Sequence, residues 1–211
     1  MDNQRDAVRN DTGMRSDAEI LWDGYADGFD ESADHGLRDP NVKAAWESLL
    51  LPILPEAPCN IIDLGSGTGS LSILLAEQGH QVTGVDVSKK MVDLAKAKAG
   101  AAGLDIKFVH DDASTPDFGN GAFDVVLARH VLWVFDDPDI VLRRWAALLR
   151  PGGVLILIEG RWTTGAGLAS DECVKLVLRN RHEATLHPLS NNVALWGEPV
   201  TDDRYLILSR R

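Results

Sequence analysis

From Asn60 to Glu159 the chain repeats one arrangement, a short run of Ile, Val and Leu followed by a stretch with helical spacing. The apolar runs are Asn60–Leu64, Gln81–Val87, Ile106–His110, Phe123–Ala128 and Val154–Glu159, each five to seven residues long. A strand with one wet face would alternate polar and apolar residues. Runs this apolar, separated by helices, predict a parallel sheet covered on both faces, hence a doubly wound α/β fold. The helices between them carry start and stop signals. Ser70–Gln78 closes at Gly79, and Lys89–Ala99 follows a Ser88 cap and closes at Gly100 or Gly103. Pro138–Leu149 has Pro in its first turn and ends at Pro151-Gly152-Gly153. Residues 170–182 predict another helix, and Ala184–Leu189 and Arg204–Ser209 two weaker strands.

Ahead of this region, DAEILWDGYADGF at 17–29 sets Ile20, Leu21, Tyr25 and Phe29 at helical spacing. NVKAAWESLLLPIL at 41–54 predicts a second helix disturbed by Pro52, and Pro55 and Pro58 mark a loop. Residues 1–16 are polar and read as a flexible tail. With no repeat or low-complexity tract, the expectation is one domain over 17–211, a helical cap at 17–58 on a core at 59–211.

The sharpest local signal is Ile61-Ile62-Asp63-Leu64-Gly65-Ser66-Gly67-Thr68-Gly69, a glycine turn between a predicted strand and a predicted helix. Gly65 is placed to take a positive φ, and Gly67 to let a ligand approach the backbone. Asp86 ends the second strand 21 residues after Gly65, where a carboxylate can accept hydrogen bonds from both ribose hydroxyls. These features fit a dinucleotide or a nucleoside. Two details favour the nucleoside. The dinucleotide pattern GxGxxG needs glycine at position 70, which is Ser70 here. Asp63, two residues before the loop, would repel a pyrophosphate but suits a cationic ligand, or can hold the loop through its amides.

The segment IIDLGSGTGSLSILLAEQGHQVTGVDVSKKMVDLAKAKA resembles the first motif and following strand and helix of class I S-adenosylmethionine-dependent methyltransferases. FVHDDAS resembles that family's acidic third-strand motif, with Asp111 where glycine is usual. FDVVLARHVLWVFDDP resembles its fourth strand and loop, and LLRPGGVLILIE its turn and fifth strand. The resemblance spans about residues 20 to 210. It implies a Rossmann-like seven-stranded sheet, mostly parallel with an antiparallel last strand, under N-terminal lid helices. The cofactor would be S-adenosyl-L-methionine, lying across the carboxyl ends of the first, second and fourth strands. By the same resemblance, Gly65, Gly67 and Gly69 approach its methionine and ribose parts. Asp86 holds the ribose, with Val87 beside it, and Met91 lies near adenine. Asp112 receives the adenine amino group, Ala113 offers an amide, Arg129 sits at the methionine end, and Asp63 anchors the loop. Trp22 and Tyr25 are expected on a lid over the cofactor, and Phe29 toward the acceptor.

Methyl transfer needs alignment and dryness more than a base, because the cofactor carries the reactivity. His130 follows the fourth strand at the carboxyl edge, where open α/β sheets bind ligands, and is the first candidate for general base or acceptor orientation. His35, in Asp34-His35-Gly36, is the second. Trp133, Arg161 and Trp162 are expected around the acceptor, and Arg179, His182 and His187 are weaker candidates. His80 reads as structural, and His110 ends the third strand.

Other classes fit less well. Net charge −11 disfavours a nucleic-acid partner. Ala128-Arg129-His130-Val131 replaces the Asn/Asp-Pro-Pro-aromatic motif of nucleobase-amino and glutamine-amino methylators. No metal-ligand cluster is evident, and Cys59 and Cys173 stand alone as reduced thiols. Tyr25 and Tyr205 are the only tyrosines, and neither has Lys four residues on, against an NAD(P)-dependent oxidoreductase. A non-catalytic S-adenosylmethionine-binding protein remains a competing reading. The N-terminus shows no apolar leader, and no run is long enough to span a membrane, so the expected setting is cytoplasmic without membrane contact. About 50 residues follow the fifth strand, which leaves no room for a large acceptor-binding insertion. Compactness and acidity favour a small neutral or cationic acceptor, such as an amine, a phenol or a natural-product intermediate, methylated on O or N. Assembly as a homodimer is left open.

Overall fold

In the computed structural model, which describes residues 16–210, the five expected runs become strands and two more follow. They are β1 (Asn60–Leu64), β2 (Gln81–Asp86), β3 (Lys107–His110), β4 (Phe123–Arg129), β5 (Leu149–Arg161), β6 (Thr185–Pro188) and β7 (Asp203–Ser209). They form one sheet in the order β3-β2-β1-β4-β5-β7-β6. β1 to β5 pair parallel, while β7 is antiparallel to both β5 and β6. β7 alone therefore runs against the rest, wedged between two strands that precede it in sequence. Strand order reverses at β1 and β4, and an open α/β sheet has its ligand crevice at such a reversal.

The helices are α1 (Asp17–Tyr25), α2 (Ala33–Gly36), α3 (Pro40–Leu50), α4 (Ser70–Glu77), α5 (Lys89–Ala101), α6 (Pro138–Leu148), α7 (Ser170–Asn180) and α8 (Val193–Trp196). Ser88 caps α5 by accepting the Met91 N–H, and Asp137 caps α6 ahead of Pro138. Strand side chains alternate between two cores. Ile61, Val125, Leu127, Ile156 and Leu206 pack with Trp46 of α3 and Leu74 of α4. Ile62, Val126, Leu155, Leu157 and Ile207 pack with Trp145 of α6 and Val177 of α7. Both faces are dry, which is why the strands read as continuous apolar runs.

Several boundaries differ from expectation, among them the helix expected over 41–54, which ends at Leu50 before a 3-10 turn Leu51–Ile53. The helix expected over 17–29 ends at Tyr25 and tightens into a 3-10 turn, Ala26–Glu31. The glycines at 24 and 28 weaken the α-helix there, and the tighter turn brings Asp30 inward. Ile20, Leu21 and Tyr25 face outward, more than half exposed. The tail expected over 1–16 lies outside the described residues except for Ser16, whose hydroxyl caps α1 by accepting the Glu19 N–H at 3.1 Å. β5 begins at Leu149, not Val154. Leu149 pairs with Phe123, and a register shift follows before Val125, so Pro151-Gly152-Gly153 bulges within the strand instead of ending a helix. Among the described residues no helix is long and apolar enough to cross a membrane.

Candidate active site

A cavity of about 1230 Å³ opens at the carboxyl ends of β1, β2, β4 and β5. Single-ligand sites run about 300–1,000 Å³, so this one has room for a cofactor and a second molecule side by side. Its floor at the β1–β2 end is the glycine loop. Gly65 has φ +72°, and a Cβ added there would lie 2.3 Å from Val131 Cγ2, so the position excludes any side chain. Gly67, at φ +54°, packs beneath Phe29 of the 3-10 turn.

Asp86 carries this end. One carboxylate oxygen accepts the Gly67 N–H at 2.7 Å and the other the Ser88 N–H at 2.8 Å. Burial pushes its pKa up against these two bonds. A carboxylate has about four acceptor positions, which leaves capacity toward the cavity that Asp86 lines. Asp63 behaves differently from the expected loop anchor. Its Oδ2 accepts the Ser72 hydroxyl of α4 at 2.6 Å, and burial raises its pKa to about 6. It ties β1 to the helix behind the loop, while the Gly67 amide belongs to Asp86. Trp22, Asp63, Val87, Met91, Asp112, Ala113 and Arg129 all border the cavity.

The lid is latched at two points. Asp23 of α1 accepts the Ser88 hydroxyl at 2.6 Å and the Lys90 N–H at 3.1 Å. Asp30 accepts Lys98 Nζ at 2.8 Å and the hydroxyl of Thr68 in the glycine loop. Both latches tie the N-terminal cap to α5 and the loop, so the cap closes over this end of the cavity.

At the β4–β5 end the wall is aromatic. His130 sits in the left-handed region at φ +60°, rare for a residue with a Cβ. Two neighbours on β5 impose that turn. The Ile158 carbonyl accepts the His130 N–H at 2.8 Å. Glu159 Oε1 accepts the N–H groups of Val131 at 3.0 Å and Leu132 at 2.7 Å. Glu159 is fully buried, and burial outweighs those two amides to push its pKa up to about 8. The His130 ring lies 5.3 Å from Trp162, 6.3 Å from Trp196 and 6.5 Å from His35. Trp133 stands 5.2 Å from Trp162 and donates its indole N–H to the His130 carbonyl at 3.0 Å. His35 stacks on Phe29 at 4.3 Å. Burial, reinforced by the Arg129 guanidinium, lowers His35 to about 4 and holds His130 well below its ordinary range. Both imidazoles are therefore neutral at pH 7. The Arg129 guanidinium lies over Trp46 at 5.2 Å and donates to the Asp34 carbonyl.

Three expected site residues lie elsewhere. Tyr25 is 59% exposed and borders only a shallow depression outside the lid, because α1 turns that face to solvent. A Cβ on Gly69 would meet Phe108 at 2.8 Å and Ala95 at 2.9 Å, so that glycine serves the packing of α4 on β3 and α5. Arg161 is exposed at the end of β5, opposite Asp203. The weaker candidates Arg179, His182 and His187 are also absent from the lining. Sequence reasoning missed Trp196, Arg204 and Glu159. Arg204, on β7, ion-pairs with Asp202 at 3.1 Å and Asp34 at 3.8 Å, and its guanidinium lies 4.4 Å over Trp196. The alternation Arg204-Leu206-Leu208 signalled a side chain on the α3 face, but nothing local places that face at the cavity. Among the described residues, no group of three or more His, Cys, Asp or Glu is placed to hold a metal ion.

Comparison with known proteins adds to this geometry. Residues 62–157 match the profile of the family described as "Methyltransferase domain". The chain is 38% identical over 108 residues to a demethylmenaquinone methyltransferase of Thermus thermophilus, covering 50% of this chain and 49% of that one. It is 34% identical over 170 residues to a ubiquinone biosynthesis O-methyltransferase of Caulobacter vibrioides, covering 77% and 64%. It is 36% identical over 118 residues to a tRNA 5-carboxymethoxyuridine methyltransferase of Escherichia coli, covering 54% and 45%. The chain thus spans about half to two-thirds of the length of these relatives. Among solved structures, a geranyl diphosphate C-methyltransferase from Streptomyces coelicolor, in complex with Mg2+, geranyl diphosphate and S-adenosyl-L-homocysteine, has the same fold. Its TM-score is 0.67 at 18% identity over 80% of each chain.

Proposed function

We propose that the chain is a class I S-adenosylmethionine-dependent methyltransferase that moves a methyl group to an O or N atom of a small molecule, a reading supported by the methyltransferase-domain match over residues 62–157 and by its relatives. The observation that carries this reading is Asp86. It is a buried carboxylate at the end of β2 that fixes the glycine loop through Gly67 and keeps acceptor capacity toward the cavity. The residues present fit the cofactor. Asp86 would take the ribose hydroxyls, with Val87 and Met91 beside the base. The Asp112 carboxylate and the Ala113 amide would meet the adenine edge, and Asp63 and Arg129 would lie toward the methionine part. S-adenosylmethionine, when bound, supplies a methyl group on a positively charged sulfur, an electrophile that needs no metal.

The chain's own contribution is to orient and to exclude water. The lid latches at Asp23 and Asp30 cover the cavity, and the 130–134 turn presents His130 and Trp133 to its second half. Neutral His130 has one donor and one acceptor nitrogen, so it can hydrogen-bond the oxygen or nitrogen of an acceptor. Its depressed pKa makes it a weak base, so it orients the acceptor more than it stores the proton. His35, stacked on Phe29, supports it from the lid side. Net charge −11 favours a small molecule over a nucleic acid as acceptor.

Thermal unfolding with S-adenosylhomocysteine, NAD and NADP tests this. At about 100 times its dissociation constant a ligand adds roughly 2.7 kcal/mol, a midpoint rise of about 5–10 °C for a chain of this size. A rise with S-adenosylhomocysteine alone is expected. A rise with a nicotinamide cofactor instead would overturn the reading.

A further inference from the structure

The aromatic half of the cavity also has two unanswered polar atoms. His130 Nδ1 and Arg204 Nε are both buried without a hydrogen-bond partner, and both side chains line the cavity. The rest of the Arg204 guanidinium is engaged, one terminal nitrogen toward Asp202 and the other toward Asp34. A buried guanidinium N–H without an acceptor is costly, and here it borders a space roomy enough for a second ligand. Around these atoms stand flat faces, Trp133 and Trp162 5.2 Å apart and Trp196 beyond His130.

Resting on the methyltransferase reading, we propose that the acceptor is an aromatic ring bearing an oxyanion, a carboxylate or an ionised phenol, seated against Trp133, Trp162 and Trp196 with its oxygen on Arg204 Nε and His130 Nδ1. Aromatic faces also attract cations, but here a resident cation already lies over Trp196, the Arg204 guanidinium at 4.4 Å. Asp202 and Asp34 offset the charge of Arg204 from its two terminal nitrogens, and Glu31 and Glu198 are exposed at the rim, where water screens them. What favours an anion is the contact itself, because Arg204 Nε is a buried donor without an acceptor, which an oxyanion can answer and an ammonium cannot. Guanidinium and carboxylate or phenolate form charge-assisted hydrogen bonds, the stronger class of such contacts.

The test uses full-length protein saturated with S-adenosylhomocysteine, followed by tryptophan fluorescence and calorimetry. Benzoate, benzamide and benzylamine hold the ring constant and vary the charge, and 4-nitrophenol supplies a phenolate whose ionisation is visible by absorbance. The expected result is that benzoate binds at least tenfold more tightly than benzamide or benzylamine, and that bound 4-nitrophenol ionises at lower pH than free. A response to benzoate alone assigns a carboxylate acceptor, and a response to 4-nitrophenol alone a phenolate. Arg204→Gln should erase the preference while S-adenosylhomocysteine affinity stays within threefold, and Arg204→Lys should restore part of it if Arg204→Gln fails to fold. Equal or tighter binding of benzamide or benzylamine, or no binding of any probe to the loaded protein, overturns the inference and leaves the methyltransferase reading standing. Failure of S-adenosylhomocysteine itself to bind overturns that reading instead.

Discussion

The two ends of the cavity are built by different means. At the β1–β2 end the chain answers its own polar groups. Asp86 takes Gly67 and Ser88, Asp63 takes Ser72, and Asp23 takes Ser88 and Lys90. Among the described residues, Ser66 Oγ is the buried side-chain atom without a partner there. At the β4–β5–β7 end the surfaces are rings, and His130 Nδ1, Arg204 Nε and Glu159 Oε2 are left without partners, the first two on residues that line the cavity. The first end is pre-organised for one kind of ligand through backbone and carboxylate, a geometry many sequences can share. The second depends on three tryptophans and on the strand that delivers Arg204. A fold that keeps cofactor chemistry constant and varies the acceptor would be expected to divide its cavity in this way.

The comparison breaks most readily at Glu159, which belongs to neither ligand and holds the turn that separates them. Glu159→Ala leaves the Val131 and Leu132 amides buried without an acceptor, and at about 1–3 kcal/mol for each such group the expected loss is roughly 3 kcal/mol. Chemical denaturation measures it, and a loss within error of zero would show that the turn stands without Glu159. Next comes Asp86→Ala, expected to weaken S-adenosylhomocysteine binding by about 1–3 kcal/mol, the range for lost charge-assisted hydrogen bonds. Calorimetry reads it, and unchanged affinity would remove Asp86 from the ribose. His130→Ala sharpens the division from the other side. Turnover should fall about ten- to a hundredfold, at or below the lower end for a proton-handling group, while S-adenosylhomocysteine affinity stays nearly constant. An equal fall in both would mean that the two ends are not separable.

The smallest effect is a pH dependence. Native Glu159 keeps its proton up to about 8, whereas the unfolded chain releases it near the ordinary value of 4.5. Across that window the native state binds more protons, so stability falls as pH rises, by at most about 1.4 kcal/mol per unit. His35 acts in the opposite sense, its stability contribution rising with pH between about 4 and 6.5, so the clean window is pH 6.5 to 8. Glu159→Gln, neutral at every pH, should flatten the slope there, and a variant as steep as the wild type would show that another group carries it.

The same division governs what could be read from the sequence. β1 falls at Asn60–Leu64 as expected, and Asp86 ends β2 at the predicted spacing from Gly65, because local pattern and tertiary role coincide there. Gly69 and Tyr25 failed because glycine and aromatic spacing do not say which side of a turn or helix faces the ligand. Arg204 could not be placed, since β7 reaches the cavity only by entering the sheet between β5 and β6, a long-range pairing with no local signature, and Trp196 sits on α8 in the connection between β6 and β7. Glu159 was hidden inside an apolar strand, and its value lies in two amides that belong to another loop. The expectation of a neutral or cationic acceptor came from the compactness and net charge of the whole chain, which do not say which polar atoms line the cavity.

The most direct test of the account is a crystal structure of the protein with S-adenosylhomocysteine bound. The prediction is ribose hydroxyls hydrogen-bonded to Asp86 above Gly67, with the Trp133–Trp162–Trp196 chamber left open to a second molecule. A ribose away from Asp86, or a ligand lodged among the tryptophans, would contradict the division of the cavity.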